Sequence, residues 1–145
     1  MALVKNCNFP DDLLYHVENN VWVRKDDDGG VTVGMTAYAC SLAGEIVSYT
    51  PKKPGKPIDK DKSVATVESG KWVGPVKTPV GGEIVASNDA VAAKAGTINA
   101  DPYASGWLIK LKPTNWDADS AGLLTGAAAA AAFEAKMNAD GFAGC

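Results

Sequence analysis

Histidine is nearly missing from this chain: His16 stands alone among 145 residues. Cysteine is scarce too, with Cys7, Cys40 and Cys145 forming no Cys-x-x-Cys pair. A zinc site needs about four nitrogen or sulfur donors at short spacings, and this set does not supply them. There is no excess of basic charge, since 14 Lys and Arg face 17 Asp and Glu for a net charge of -3. The lysines at 52, 53, 56, 60 and 62 are interleaved with prolines, Gly55 and aspartates, so the basic face that nucleic acid requires is lacking. Although 46% of residues are hydrophobic, no apolar run approaches the roughly 20 residues of a membrane span. The opening Met1-Ala2-Leu3-Val4-Lys5-Asn6-Cys7 lacks the apolar segment of an export signal and reaches Pro10-Asp11-Asp12 at once, which predicts a soluble, cytoplasmic protein. In that compartment an odd cysteine count predicts free thiols. Cys145, following Gly141-Phe142-Ala143-Gly144, is then the most accessible candidate for exchange chemistry.

What is present is a series of short β-patterns and one alanine-rich helix. The length fits one domain, 1–145, large enough to bury a core without staples. Leu13 to Val17, Val21 to Arg24 and Val31 to Val33 alternate or cluster β-formers between turn signals, predicting an antiparallel meander. His16 falls inside that pattern with no titratable partner near it in sequence, and is read as a packed or surface side chain. Thr36 is placed as the N-cap of a short helix to Leu42 that Gly44 ends. Asn88 with its neighbours similarly caps a helical turn up to Gly96. Trp22 and Trp107 are read as core, and Trp116 as an anchor for the last helix.

Gly44-Glu45-Ile46-Val47 recurs as Gly82-Glu83-Ile84-Val85. Each copy opens a strand and leads through a loop to another apolar strand, Val64 to Val67 and Trp107 to Leu111. Two equivalent halves covering each other's apolar faces predict a mainly β fold, a flattened barrel or sandwich spanning about 13–113. From Asp117 onward alanine dominates, predicting a C-terminal helix over about 120–138 with Leu123, Ala127, Ala130, Phe133 and Met137 on one face.

The chemistry concentrates at Val64-Ala65-Thr66-Val67-Glu68-Ser69-Gly70-Lys71-Trp72-Val73-Gly74-Pro75-Val76. β-formers flank Ser69-Gly70, so Lys71 should stand at a hairpin tip with its amine in water. Most exposed lysines are solvated charge. This arrangement, however, resembles the swinging-arm hairpin of lipoyl-carrying domains, where acylation replaces the charge with a long tether. Biotin carriers usually bracket the lysine with methionines, whereas here Gly70 and Trp72 do so.

Three stretches carry a more specific resemblance, over roughly Leu14 to Met137, to the glycine cleavage H-protein family and its relatives. They are Val31 to Ala39, Val67-Glu68-Ser69-Gly70-Lys71, and Asn99-Ala100-Asp101-Pro102-Tyr103-Ala104-Ser105-Gly106-Trp107-Leu108-Ile109-Lys110-Leu111-Lys112-Pro113. The resemblance implies lipoate bound covalently to Lys71, loading by a lipoate ligase, and a carrier rather than an enzyme. Two departures fall near the tip. Asn20-Val21 stand where such proteins have His-Glu before the tryptophan, and Trp72-Val73-Gly74-Pro75 replace the usual run after the lysine. These changes are similar to lipoate-binding proteins of the heterodisulfide-reductase-like sulfur oxidation system. That likeness implies a monomeric carrier of sulfur between that complex and sulfur-transfer proteins. The alternative is the aminomethyl carrier of the glycine cleavage system, and a third class is an unmodified binding module on the same fold.

Overall fold

In the computed structural model, which describes residues 2–145, the chain opens with a hairpin that the sequence pattern did not announce. Strands β1 (Ala2–Val4) and β2 (Cys7–Phe9) pair antiparallel around Lys5-Asn6, both at positive φ. With three residues each, these strands are too short to display a period. The expected meander follows as β3 (Leu14–His16), β4 (Val21–Lys25) and β5 (Val31–Met35). Helix α1 (Ala37–Ala43) comes next, with the Thr36 hydroxyl accepting from the Ala39 amide and Gly44 ending it at φ 83°. Both caps stand where the sequence placed them.

Strands β6 (Ile46–Pro51), β7 (Pro57–Ile58), β8 (Ser63–Ser69), β9 (Val73–Lys77) and β10 (Gly82–Ser87) follow. After them come α2 (Asp89–Ala93), α3 (Thr97–Ala100), β11 (Ile109–Pro113), α4 (Trp116–Ser120) and α5 (Gly126–Asp140). One sheet has the order β3-β4-β5-β11-β10-β7 and a second has β6-β8-β9. Val23, Val33, Ile84 and Leu111 of the first bury themselves with Ile46, Val64, Val67 and Val76 of the second in one apolar core. The result is the mainly β, sandwich-like architecture that the repeated tetrapeptide predicted.

The repeat has a structural counterpart. β6 pairs with β8, and β10 with β11, as the two halves require. Each pairing has a register shift just after the repeated isoleucine, between Ile46 and Ser48 and between Ile84 and Ala86. The isoleucines are buried while the skipped valines, Val47 and Val85, face outward. An extra residue bends the strand at that point, so each half curls at the same step.

The meander's other face supports a second cluster. Trp22 alternates with Val21 and Val23 along β4 and points away from the sandwich interior toward Tyr15, Tyr38 and Phe133. Its indole lies against Gly34, its cross-strand partner, where any Cβ would come within 2.5 Å of the ring. Phe9 stacks on Phe133 at 4.5 Å between centroids, and Tyr15 meets both rings edge-on.

The C-terminal expectations are corrected in two respects. The helix does not run from 120: α4 stops at Ser120, and α5 starts at Gly126, whose φ is 57°. Tyr15 exchanges backbone hydrogen bonds with Leu124, an isolated bridge that ties the connection between α4 and α5 to β3. The buried face is Ala129, Phe133 and Met137, whereas Ala127 is exposed and Leu123 lies outside the helix. Trp107 is half-buried under Lys110, whose ammonium lies 5.0 Å from the ring. Trp116 is likewise half-buried, beneath Lys25.

The expectation of free thiols also fails for two of three cysteines. Cys7 and Cys145 form a disulfide across 138 residues of sequence, with Cα atoms 5.0 Å apart. The β1–β2 turn grips the tail: the Cys145 amide donates to Lys5 O at 2.9 Å and Lys5 Nζ donates to Phe142 O at 3.0 Å. Cys40 remains free and buried. No helix among the described residues is long and apolar enough to cross a membrane.

Candidate functional site

β8 and β9 form a hairpin whose tip is Gly70-Lys71-Trp72. Alternation along β8 buries Val67 and Ser69 and exposes Thr66 and Glu68, so the strand enters the corner with a buried serine. Ser69 is the latch. Its hydroxyl donates to Ala43 O at 2.5 Å, tying the hairpin to the end of α1, while its backbone amide donates to Trp72 O at 2.7 Å. The Lys71 amide donates back to Ser69 Oγ at 3.3 Å. A fixed backbone thus carries an exposed lysine.

The lysine stem rests against Gly44. A Cβ at that glycine would come within 3.0 Å of Lys71 Cε, and its φ of 83° is one that side chains resist. Asn99 of α3 fixes the same junction, donating from Nδ2 to Gly44 O at 2.9 Å and accepting from the Ile46 amide at 2.8 Å. Among the described residues, the oppositely charging side chains within 4.0 Å of one another are His16 with Asp61 and Arg24 with Asp26, and neither pair includes Lys71. Lys71 therefore has no ion-pair partner among the described residues. Acylation would neutralise its charge without breaking a salt bridge, so the residues present fit a group attached through an amide.

Trp72 folds its indole over Gly74, where a Cβ would come within 2.2 Å of the ring, and keeps 40% of its surface exposed. Beside it runs a groove of about 210 Å³, between the meander, α1 and β9. Val21, Met35, Leu42, Trp72, Pro75 and Val76 line it, with Asn19 and Asn20 as its polar rim. No acidic or basic side chain lines this space. Leu42, Trp72, Val73 and Val47 are all exposed large apolar residues of α1, β6 and the hairpin, so this end of the molecule is unusually apolar.

His16 plays the bland part assigned to it. Its Nδ1 accepts from the Asn19 amide at 3.0 Å, and Nε2 lies 4.0 Å from Asp61. Burial pushes the Cys40 thiol up to about 12, leaving it protonated and unreactive near neutral pH. No cluster of three or more metal-ligating side chains occurs among the described residues. The sequence placed Lys71 and Trp72 at a hairpin tip and Gly44 as a helix cap, and the structure has them there. The sequence did not reveal Gly44 as the bed of the lysine stem and Asn99 as the clamp, although Asn99 opens the third of the resembling stretches.

Fold and hairpin together define a small β-sandwich protein with one exposed lysine displayed at a latched corner. The profile of the glycine cleavage H-protein family matches residues 13–136. "Glycine cleavage system H protein 5" of Aquifex aeolicus is 50% identical over 118 residues, covering 79% of this chain and 80% of that protein. "Probable glycine cleavage system H protein 2" of Sulfurisphaera tokodaii is 40% identical over 142 residues, or 97% and 95% of the two chains. Among solved structures, a glycine cleavage system H protein from Mycobacterium marinum superposes with a TM-score of 0.74 at 29% identity, covering 92% of this chain and 99% of that one. The chain belongs to the glycine cleavage H-protein family. Members of that family carry lipoate covalently on a lysine, are lipoyl carriers rather than enzymes, and work with partner enzymes and a lipoate ligase.

Proposed function

We propose that Lys71 is the lipoyl attachment site and that the chain carries an aminomethyl group between enzymes, as an H-protein of glycine cleavage. The observation that carries the assignment is the lysine itself, exposed at a corner that Ser69 latches to α1 and without an ion-pair partner. A ligase can reach such an amine from several sides. A bound lipoyl group supplies a dithiol–disulfide couple on a flexible tether. The protein's own residues hold the root of that tether still: Ser69 fixes the backbone, and Gly44 with Asn99 shapes the surface beneath the stem. The names of the relatives favour the aminomethyl cargo.

A sulfur cargo is the second reading, favoured by the chemistry of the groove. An aminomethyl group is cationic near neutral pH, and the groove beside Lys71 offers no carboxylate to pair with it. Val21 and Trp72, the two departures noted in the sequence, both line this space. Met35 and the Trp72 indole are soft, polarizable neighbours that suit sulfur. On this reading the partners are a heterodisulfide-reductase-like complex and sulfur-transfer proteins.

Incubation with a lipoate ligase and intact-mass measurement test the attachment. The wild type gains one lipoyl mass, whereas Lys71→Ala gains none; equal gain by both would overturn the assignment. Reconstitution with glycine decarboxylase and the aminomethyl transferase then tests the cargo. Methylene transfer supports the first reading. Its failure, together with a gain of one sulfur mass from a persulfide donor, supports the second.

A further inference from the structure

We propose that the Cys7–Cys145 disulfide is an internal redox partner of the arm on Lys71, placed to oxidise the reduced arm by thiol–disulfide exchange. The inference rests on the reading that Lys71 carries lipoate.

The two sulfurs are unequal. Cys7 is fully buried, whereas Cys145 is exposed and lines a surface hollow, so Cys145 is the side of the bridge open to an attacking thiolate. Cys145 and Lys71 sit toward opposite ends of one short helix. Cys145 Sγ lies 3.8 Å from Ala37 O in the first turn of α1, and the Lys71 stem lies against Gly44 just past its end. A rise of 1.5 Å per residue separates those points by about 10 Å. An acyl chain on Nζ reaches its first sulfur through seven bonds and extends about 9 Å beyond the amine. Lysine side-chain motion covers the remainder.

The surface between the two ends is a hollow. A cavity of about 370 Å³ runs past Cys145, Ala37, exposed Ser41 and Asn99, and Asn99 is the residue that clamps Gly44 O. The hollow therefore runs from Cys145 to Asn99, the side chain that holds Gly44 beneath the lysine stem. Cys40 also lines it, but it is buried and stays protonated, so it does not compete for the arm.

The exchange is self-contained. Cys145 Sγ accepts attack by one arm thiolate, its bond to Cys7 breaks, and Cys7 leaves as a thiolate that takes up the proton the attacking thiol released. Cys145 is now joined to the arm. The second arm thiol attacks the arm sulfur bonded to Cys145, closes the cyclic disulfide, and releases Cys145, which takes up the second proton. Two electrons pass from the arm to the Cys7–Cys145 pair, and no outside oxidant is consumed.

The test uses the full-length protein with lipoyl loading first confirmed by mass. No loading overturns the carrier reading itself, and this proposal with it. The arm of the loaded protein is reduced with NADH and dihydrolipoamide dehydrogenase, thiols are alkylated under denaturing quench, and labelled cysteines are mapped. Label is expected on Cys7 and Cys145, arising about a hundredfold faster than in unloaded protein given equimolar micromolar dihydrolipoamide, as a millimolar effective concentration implies. The unloadable Lys71→Ala variant should keep its Cys7–Cys145 disulfide, and loaded Cys145→Ser should retain both arm thiols. Reduced arm thiols beside an intact Cys7–Cys145 disulfide would overturn the proposal, as would equal labelling in wild type and Lys71→Ala.

Discussion

Ser69 shows how much one side chain can do at a corner. Its buried hydroxyl joins two elements whose main chains would otherwise meet without a bond, at Ala43 O. Ser69→Ala should destabilise the fold by about 1 kcal/mol through the lost bond and the carbonyl left behind. Thermal melts give the stability, and amide exchange at Gly70 to Trp72 reports the loosened tip. Gly34 makes the opposite case, a residue needed for what it lacks. Gly34→Ala puts a methyl into the Trp22 indole and should cost about 1–3 kcal/mol, read as a lowered denaturant midpoint. The lysine was legible in sequence because turn formers and β-branched neighbours announce a hairpin locally. Asn99 was not, because its partners Gly44 and Ile46 lie more than fifty residues away and no local pattern encodes them.

Among the elements, those with strong local signals appeared where expected. Thr36 and Gly44 bracket α1, and Asn88 caps α2 with its side chain accepting from the Ala90 and Val91 amides. The last helix was misplaced for a physical reason. The alanine run favours helix only from 127 onward; Gly122 and Gly126, the latter at φ 57°, break it locally, and pairing of Leu124 with Tyr15 fixes the break. Its buried side then rotated toward Ala129, because Phe133 had to meet Phe9, Tyr15 and Tyr38. Phe133→Ala should cost about 3–5 kcal/mol and loosen α5 first. Hydrogen exchange across 126–140 should rise before that of the sandwich strands; uniform loss of protection would contradict it.

For the whole molecule, the disulfide and the tyrosine-rich second cluster set the responses to reductant and pH. A bridge closing nearly the entire chain should be worth about 2–5 kcal/mol, so dithiothreitol should lower the melting temperature of wild type but not of a Cys7→Ser, Cys145→Ser variant. Alkali should act through the tyrosines. Burial, and then the Asp140 carboxylate that accepts its hydrogen bond, push Tyr38 up to about 12, and burial raises Tyr15 and Tyr103 as well. A tyrosine raised in the folded state contributes stability fully below its unfolded value near 10, and that stability is lost as pH climbs toward the folded value. Melting temperatures should accordingly fall between about pH 10 and 12, with Tyr38→Phe flattening part of the decline. The paired thiols could not be read from spacing, since the contact depends on a terminal hairpin too brief to recognise.

The matched bulges after Ile46 and Ile84 mark two copies of one strand framework, but the copies end differently. After β8 the chain turns at Gly70-Lys71-Trp72, whereas after β11 it enters α4 directly at Trp116. Doubling of the scaffold did not double the tip, so on the proposed attachment at Lys71 ligase treatment should add a single lipoyl mass per polypeptide, and a second increment would contradict it.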